Sequence, residues 1–253
     1  MRMVEGRIMA ERNPTDVPAL TAQQMAAIDR IMVEEYGVET MQLMEVAGFA
    51  VARFARRRFL GDARGKRVIV LCGSGGNGGD GMVAARVLHA WGAIPHVWLS
   101  RRPEPGRGRA AHQLQILERL AIPIEEPTLD PALPPADLII DGLFGFSLSG
   151  PPTGASAALI QAANAHPAPV LAIDLPSGLD ATTGAVLSPC IRADATLTLA
   201  LPKTGLLTPE ARTVVGALAV ADIGVPAQAY ARLGLTVGPV FAEDDIVPVP
   251  LPA

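Results

Sequence analysis

The stretch that most constrains the fold runs from Arg67 to Gly81, where an apolar segment leads directly into a loop dense in glycine. Val68 to Leu71 is typical of a buried strand, five glycines lie between Gly73 and Gly79, and a helix is predicted from about Gly81 to Trp91. Glycines let the backbone take positive φ and let a ligand approach the main chain closely. The free N–H groups and positive dipole end of the following helix favour phosphate. The stretch therefore predicts a nucleotide site.

The same loop leaves the type of nucleotide site open. Gly73-x-Gly75-x-x-Gly78 matches the dinucleotide fingerprint, but a true dinucleotide site expects an acid about 20 residues further on. Arg101 and Arg102 stand there instead, and an arginine pair can hold a 2′-phosphate, so an NADP-dependent oxidoreductase is one alternative. A P-loop is excluded because no Gly-Lys-Ser/Thr follows. We expect Asn77 to form a turn and Asp80 to cap the next helix, roles that are compatible with ligand contact.

Composition narrows the class of protein. At 253 residues and 49% hydrophobic content, one sizeable α/β domain is expected. A net charge of −4 without a basic stripe argues against nucleic acid as a partner. Cys72 and Cys190 are too few for a disulfide scaffold or a zinc site, which fits a reducing compartment. Neither a targeting segment nor a membrane-length apolar run is present in the sequence, so we expect a cytoplasmic protein that does not contact membranes.

The pattern along the chain predicts one domain over residues 20–237, between a flexible tail at residues 1–19 and a loosely held Pro-rich tail at residues 238–253. Helices are predicted over residues 22–35, where Thr21 and Gln24 form a capping box, and over residues 40–58. Apolar runs alternate with helical patterns from there on, and the predicted strands are residues 67–72, 95–99, 137–140, 169–173, 195–199 and 215–221. Such alternation predicts a Rossmann-like three-layer α/β/α sandwich with a mostly parallel central sheet.

Three loops leave the carboxyl ends of these strands, where open parallel sheets bind ligands. They are the glycine loop, the segment from Asp141 to Pro152, and the turn from Asp174 to Gly178. Asp141 and Asp174 each follow an apolar run directly, where an acid is costly unless it has partners or a function. Two such acids beside a nucleotide-type loop indicate a functional site.

Together these loops resemble the YjeF N-terminal domain family, the NAD(P)H-hydrate epimerases. The family's Gly-x-Gly-Asn-Asn-Gly-Gly-Asp-Gly corresponds to residues 73–81, its Asp-x-Leu-Phe-Gly leading to Gly-Pro-Pro to residues 141–152, and its Asp-x-Pro-Ser-Gly to residues 174–178. Leu43 to Gly48 and Pro202-Lys203 resemble two further family elements, so the resemblance covers roughly residues 20–225. Gly76 stands where the family usually has an asparagine, which removes a side-chain contact to the substrate but keeps the backbone N–H.

The resemblance implies that the chain interconverts the R and S epimers of hydrated NADH and NADPH, called NADHX and NADPHX. A separate ATP- or ADP-dependent dehydratase then repairs the S form. The C6 carbon carries a hydroxyl and is bonded to the ring nitrogen, so the nitrogen lone pair can expel the hydroxyl once it is protonated, and water can return to either face. One carboxyl group acting first as acid and then as base suffices for this.

The resemblance also implies roles for individual residues. Asp174 is the expected catalytic group, and one potassium ion per subunit is expected on Asn77, Asp141 and Ser177. These side chains offer oxygen ligands, which suit a hard cation, although the set alone does not separate potassium from sodium or magnesium. Lys203 is expected either to pair with a substrate phosphate or to be a solvated loop lysine. The expected substrate-contacting residues are Gly76, Asn77, Gly78, Gly79, Asp80, Gly145, Phe146, Ser147, Leu148, Ser149, Gly150, Pro151, Asp174 and Lys203.

The sequence leaves open the oligomeric state of the protein and a second class of function. Members of the family form homodimers, and an apolar excess in residues 22–58 favours an interface; it comprises Met25, Met32, Met41, Met44, Phe49 and Phe54. Phe241 to Asp245 resembles the start of a linker to a C-terminal dehydratase domain, so the chain can be a fragment of a bifunctional protein. Related domains also serve as scaffolds, and a non-catalytic nucleotide-binding or scaffold protein is the main alternative.

Overall fold

A computed structural model describes residues 17–251 of the chain. The flexible tail that the sequence predicts for residues 1–19 lies almost entirely outside these residues. The helices are α1 (Ala22–Glu34), α2 (Thr40–Ala55), α3 (Gly76–Ala90), α4 (Gly108–Arg119), α5 (Gly154–Ala165), α6 (Arg212–Val215) and α7 (Ala227–Ala231). The strands are β1 (Arg67–Cys72), β2 (Ile94–Leu99), β3 (Ile124–Glu125), β4 (Leu138–Gly142), β5 (Val170–Ile173), β6 (Ala195–Leu199), β7 (Ala217–Ala221) and β8 (Ile246–Pro248).

All eight strands form one sheet in the order β3-β2-β1-β4-β5-β6-β7-β8. Every neighbouring pair is parallel except β7 with β8. The strand order reverses direction between β1 and β4, which is the topological switch point at which doubly wound sheets bind nucleotides. The glycine loop after β1 and the loop after β4 flank this point. The predicted fold class is confirmed.

The sheet is covered on both faces, and the alternation of side chains along its strands explains why. In β1, Val68, Val70 and Cys72 pack with the large core formed by α1 to α4 and α7. Ile69 and Leu71 point to the other face and pack with α5. A third apolar cluster joins α6 to the same face further along the sheet. Because both faces are buried, most of the strands are apolar runs, as the sequence indicated. Strand β6 is an exception, with Thr196 and Thr198 buried between its apolar residues.

The two N-terminal helices follow the sequence closely. Thr21 caps α1 through a capping box in which its Oγ1 accepts from the Gln24 N–H at 3.2 Å and its own N–H donates to Gln24 Oε1 at 2.9 Å. The second predicted helix, residues 40–58, is α2 followed by one π-helical turn over Arg56–Leu60. Both elements pack beside the loops that carry the candidate site.

The structure corrects the sequence at three places in the fold. Helix α3 begins at Gly76 and not near Gly81, so the last part of the glycine loop is its first turn. Asp80 therefore lies inside α3, and Gly75 is at the N-cap position, so the prediction that Asp80 caps this helix was wrong. Residues 246–248, predicted as part of a loosely held tail, instead form β8 at the edge of the sheet.

Within residues 17–251, none of the helices combines the length and the apolar character needed to cross a bilayer.

Candidate active site

A cavity of about 250 Å³ opens at the carboxyl ends of the central strands, beside the switch point. Its walls come from α1, α2, the start of α3, the start of α4, the loop after β4 and the ends of β5 and β6. The lining residues are Met25, Asp29, Thr40, Leu43, Met44, Ala47, Gly76, Asn77, Asp80, Arg109, Gly145, Phe146, Ser147, Asp174, Leu199, Lys203 and Ile223. Eight of the residues that the sequence assigns to the site are among them: Gly76, Asn77, Asp80, Gly145, Phe146, Ser147, Asp174 and Lys203.

Asp174 is held in a strained turn directly after β5. Its φ is 65°, a left-handed value that is uncommon outside glycine. The Leu175 N–H donates to the Ile173 carbonyl at 2.8 Å and closes a three-residue turn around Asp174. Ala200, directly after β6, has the same φ of 65°, and the Leu201 N–H donates to the Leu199 carbonyl at 2.9 Å. Two adjacent strands thus end in strained turns, a kind of backbone that clusters at functional sites.

The side chain of Asp174 forms a buried ion pair with Lys203. Lys203 Nζ donates to Asp174 Oδ1, and it also donates to the Leu199 carbonyl at 2.8 Å and to Thr198 Oγ1 at 3.4 Å. Asp174 Oδ1 accepts further bonds from Thr198 Oγ1 at 3.2 Å and from the Leu199 N–H at 3.3 Å. A Cβ built on Gly145 would lie 3.3 Å from Asp174 Oδ2, so this second oxygen faces the loop after β4. One carboxylate oxygen is anchored and the other is directed towards the cavity.

Lys203 therefore differs from both expectations for it. It is only 1% exposed, so it is not a solvated loop lysine. Its three N–H donors are directed at Asp174, Thr198 and Leu199, which leaves none for a substrate phosphate. The structure makes Lys203 the group that fixes the position of Asp174.

The three side chains expected to hold a cation are close neighbours. Ser177 Oγ donates to Asp141 Oδ1 at 2.7 Å and lies 3.4 Å from the Phe144 carbonyl oxygen. The amide Nδ2 of Asn77 lies 2.9 Å from the same carbonyl oxygen and 3.2 Å from that of Ile173. Carboxylate, hydroxyl and carbonyl oxygens therefore lie close together, and such donors fit a hard cation. Asn77 directs its NH2 group, and not its amide oxygen, at the two carbonyls.

The sequence predicted Asp141 in the loop after β4, but the residue lies in β4 itself and is fully buried. Burial raises the pKa of its carboxyl from 3.8 to about 6, against the lowering effect of its hydrogen bonds. Those bonds come from the Ser177 N–H to Oδ2 at 2.8 Å, from Ser177 Oγ, and from the Leu143 N–H to Oδ1 at 3.2 Å. Asp141 thereby ties the loop after β4 to the turn after β5.

The glycine loop brings backbone groups to the cavity without side chains in the way. A Cβ on Gly78 would lie 1.9 Å from the Gly73 carbonyl oxygen, so no other residue fits there without a backbone shift. A Cβ on Gly76 would meet nothing within 4 Å. Since the N-cap residue of α3 is Gly75, no side chain caps this helix. Its first N–H groups are available to an anion.

Two charged residues in the cavity wall were not found from the sequence. Asp29 lies on α1, and burial together with the nearby Asp174 raises the pKa of its carboxyl from 3.8 to about 6, although Lys203 and Arg109 lower it. Arg109 lies at the start of α4, where its Nη1 donates to Thr40 Oγ1 at 2.7 Å. Asp29 could have been found from the sequence, because it shares the face of α1 that carries Met25 and Met32. An acid on a buried face is costly and indicates a partner or a function. Nothing in the sequence indicated Arg109.

Asp80 also faces the cavity, and the pKa of its carboxyl lies well above 3.8 because of burial and the neighbouring charges of Asp174 and Asp29. Burial likewise raises the pKa of the thiols of Cys72 and Cys190, so both are protonated at neutral pH.

Some residues assigned from the sequence do not line the cavity: Gly78, Gly79, Leu148, Ser149, Gly150 and Pro151. Their contact with substrate stays a prediction. Arg101 and Arg102, on which the oxidoreductase alternative rested, are exposed and are not part of the wall. Arg102 pairs instead with Glu118 and Glu126 on the surface. The geometry gives that alternative no support.

Residues 40–205 match the model of a protein family described as YjeF-related protein N-terminus. The chain belongs to this family. Among its relatives is an NAD(P)H-hydrate epimerase of Dehalogenimonas lykanthroporepellens, 40% identical over 220 residues that make up 87% of each protein. A bifunctional NAD(P)H-hydrate repair enzyme of Moorella thermoacetica is 42% identical over 214 residues, which are 82% of this chain and 40% of that enzyme. The chain thus spans about two fifths of such bifunctional relatives.

The crystal structure of yeast YNL200c shows the same fold, with a TM-score of 0.75 over 92% of this chain and 100% of that chain at 24% identity. The matched residues 40–205 contain α2, the glycine loop, Asp141, Asp174 and Lys203. Asp29 lies outside the matched stretch.

Proposed function

We infer that the chain is an NAD(P)H-hydrate epimerase, which interconverts the R and S forms of NADHX and NADPHX at C6 of the nicotinamide ring. One observation carries the inference. The motifs that mark the family close around a single cavity, in which the carboxyl group of Asp174 is fixed by Lys203 with one oxygen directed inwards. Family membership and relatives named NAD(P)H-hydrate epimerase support it.

Asp174 is the proposed proton-transfer group. Its Oδ1 is held by Lys203, Thr198 and the Leu199 N–H, so the carboxylate cannot rotate away from the cavity. Its Oδ2 accepts a proton from water that adds to C6 and returns a proton to the hydroxyl that leaves. General acid–base catalysis of this kind contributes about 10²–10⁴-fold. The strained turn that presents the carboxyl fits a site whose geometry is fixed before substrate binds.

The nucleotide's phosphates are proposed to bind at the first turn of α3. The uncapped N–H groups from Gly76 onwards and the positive end of the helix dipole favour an anion there. Arg109 lines the same cavity and replaces Lys203 as the cation expected to face a phosphate. Gly145, Phe146 and Ser147 form the opposite wall, where the loop after β4 covers the ligand.

We propose that one potassium ion per subunit binds at Asn77, Asp141 and Ser177. When bound, the ion would tie together the start of α3, β4 and the turn after β5, and it would supply positive charge beside the substrate. Unfolding the protein in KCl and in choline chloride of equal ionic strength tests this, with stabilisation of about 1.4 kcal/mol expected at ten times Kd. Ser177→Ala should abolish the difference, whereas Ser156→Ala, in α5, should keep it. Equal stability of the wild type in the two salts would contradict the proposal.

A homodimer is also proposed, but its supporting residues change. Met25, Met32 and Met44 are buried in the core and do not contribute to an exposed surface, contrary to the sequence argument. The exposed apolar residues of α2 are Val46 and Phe49, and Phe49 contacts Trp91 edge-on with ring centroids 5.6 Å apart. This small patch is the proposed contact with a second copy. A monomer mass by light scattering at micromolar concentration would contradict it. The expected cytoplasmic location and the separate dehydratase partner likewise remain proposals.

The scaffold alternative is not favoured. A domain kept only for association has no need of a buried ion pair and two raised-pKa carboxyls around an open cavity. The deciding experiment supplies purified R or S epimer of NADHX, and separately of NADPHX, and follows each by chromatography. An epimerase brings both epimers to the same equilibrium mixture faster than a protein-free blank. If the blank and the protein sample progress equally, the proposed function is wrong.

A further inference from the structure

The cavity contains a second carboxyl group whose position suits the same reaction. Asp29 and Asp174 line one cavity but come from different layers, Asp29 from α1 and Asp174 from the end of β5 in the sheet. Burial and, to a smaller extent, the charge of Asp174 raise the pKa of Asp29. A flat ring bound between helix and sheet would have one of these carboxyls on each side.

Asp29 is not a structural residue by its contacts. No other described residue donates a hydrogen bond to its side chain or forms an ion pair with it, although Asp29 is half-buried. Buried carboxyls that serve the fold normally have such partners, as Asp141 has in Ser177 and Leu143. Asp29 therefore occupies a costly position without a compensating contact from the protein, and it does so at the wall of the cavity.

One carboxyl group suffices for epimerisation only if it can reach both faces of C6, so a carboxyl fixed on one side needs a second group on the other face. The hydroxyl leaves C6 from one face of the ring, and inversion requires water to add to the other. A single fixed carboxyl reaches one face only, and Asp174 is fixed by Lys203. We propose that Asp29 is the second proton-transfer group, serving the face of the nicotinamide ring opposite to Asp174. This inference rests on the proposed epimerase function.

The steps balance in protons and electrons. Protonated Asp29 gives its proton to the C6 hydroxyl on its own face, the C6–O bond breaks with its electron pair leaving as water, and the ring-nitrogen lone pair forms the N1=C6 bond. Water then adds to C6 on the other face, the N1=C6 electrons return to nitrogen, and the carboxylate of Asp174 takes the released proton. Asp174 then releases its proton to solvent and Asp29 takes one up from solvent, so the starting state is restored and no cofactor is consumed. The reverse epimerisation exchanges the two roles.

The charges around Asp29 suit both roles. With a pKa of about 6, the carboxyl of Asp29 is present in both its protonated and its ionised form near neutral pH. Burial is the largest cause of the increase, and the charged and titratable groups that face Asp29 from the neighbouring elements are Lys203, Asp174, Arg109, Asp80 and Tyr230.

Oxygen exchange in H₂¹⁸O separates this proposal from a structural role. In the wild type, label enters both epimers as they interconvert. In Asp29→Asn, epimerisation should fall by about 10²–10⁴-fold. Asp174 alone can still expel and return water on its own face, so one epimer should continue to take up ¹⁸O without inversion. Asp174→Asn should show the reciprocal pattern, with exchange confined to the other epimer. Glu34→Gln, an exposed acid on the same helix, is the matched control and should behave like the wild type.

The outcomes are distinct. Exchange without inversion in Asp29→Asn supports the proposal, and so does loss of one limb of the pH profile of kcat in that variant. Epimerisation at the wild-type rate in Asp29→Asn overturns it, as does a parallel loss of exchange and inversion, which indicates a positioning role. Oxygen exchange without inversion in Asp80→Asn but not in Asp29→Asn would overturn the proposal and assign the second proton transfer to Asp80. If the wild type neither exchanges oxygen nor interconverts epimers, the proposed function fails and the inference with it.

Discussion

Replacing Asp29 by asparagine should stabilise the protein at neutral pH while it impairs the reaction. The pKa of this carboxyl rises from 3.8 to about 6 on folding, so the native state binds more protons than the unfolded state between these values. Stability contributed by such a group is greatest below pH 4, falls as pH rises towards 6 and is constant above that. The asparagine side chain has nearly the same shape and no charge at any pH. The difference between wild type and variant therefore isolates this one group.

The magnitude follows from the same values. A shift of about 2 units corresponds to about 3 kcal/mol at 1.36 kcal/mol per unit. Because Asp29 is only partly buried, screening by solvent reduces the expected gain to about 1–2 kcal/mol at pH 7.5. For a chain of this size that is about 2–8 °C in Tm. At pH 4 the gain should shrink to about a fifth of its value at pH 7.5.

Urea unfolding of wild type, Asp29→Asn and the control Glu34→Gln at pH 4, 5, 6 and 7.5 measures this directly. Glu34 is exposed on the same helix, so its removal should change stability by less than about 0.5 kcal/mol. A variant that is no more stable than wild type at pH 7.5 refutes the reasoning. A gain of equal size at pH 4 and pH 7.5 refutes it as well, because the effect would then not come from the charge.

Two further predictions concern the loop and the ion pair. Gly78→Ala should lower the free energy of unfolding by about 1–3 kcal/mol and abolish activity, because its Cβ would lie 1.9 Å from the Gly73 carbonyl oxygen. In the same unfolding assay Gly76→Ala, whose Cβ would meet nothing within 4 Å, should change stability by less than about 0.5 kcal/mol. In thermal unfolding, Lys203→Met should destabilise the protein by about 3–5 kcal/mol, since it leaves the buried Asp174 carboxylate unpaired. Lys66→Met removes one member of an exposed ion pair and should destabilise the protein by less than about 1 kcal/mol in the same thermal unfolding assay. Equal effects of the two members of either pair would contradict these assignments.

The strands and the site edge could be predicted because they depend on local patterns. Most of the buried parallel strands are apolar runs. The loops after β1, β4 and β5 must meet at one edge once the sheet is parallel. The contact between Asp141 and Ser177 follows from that arrangement. Residue identity plus topology was enough to bring these side chains together.

The features that were missed depend on tertiary packing. Gly76 to Gly79 have low helix propensity, yet α3 begins there because its first turn packs on the main chain of Gly73, where only glycine fits. Residues 246–248 form an edge strand although they include a proline, which has no N–H to donate and is tolerated only at an edge. The burial of Lys203 depends on the turn after β6, which no local pattern indicates.

The role of Asp174 is tested most directly by the rate at which a pure epimer of NADHX becomes a mixture in the presence of wild type, Asp174→Asn and Asp137→Asn. Asp137 lies just before β4 at the opposite edge of the sheet, where it accepts from the Arg67 N–H at 2.8 Å, and it serves as the matched control. Asp174→Asn should be about 10²–10⁴-fold slower while it still binds the nucleotide, and Asp137→Asn should keep the wild-type rate. If Asp174→Asn equilibrates the epimers as fast as the wild type, Asp174 is not the proton-transfer group.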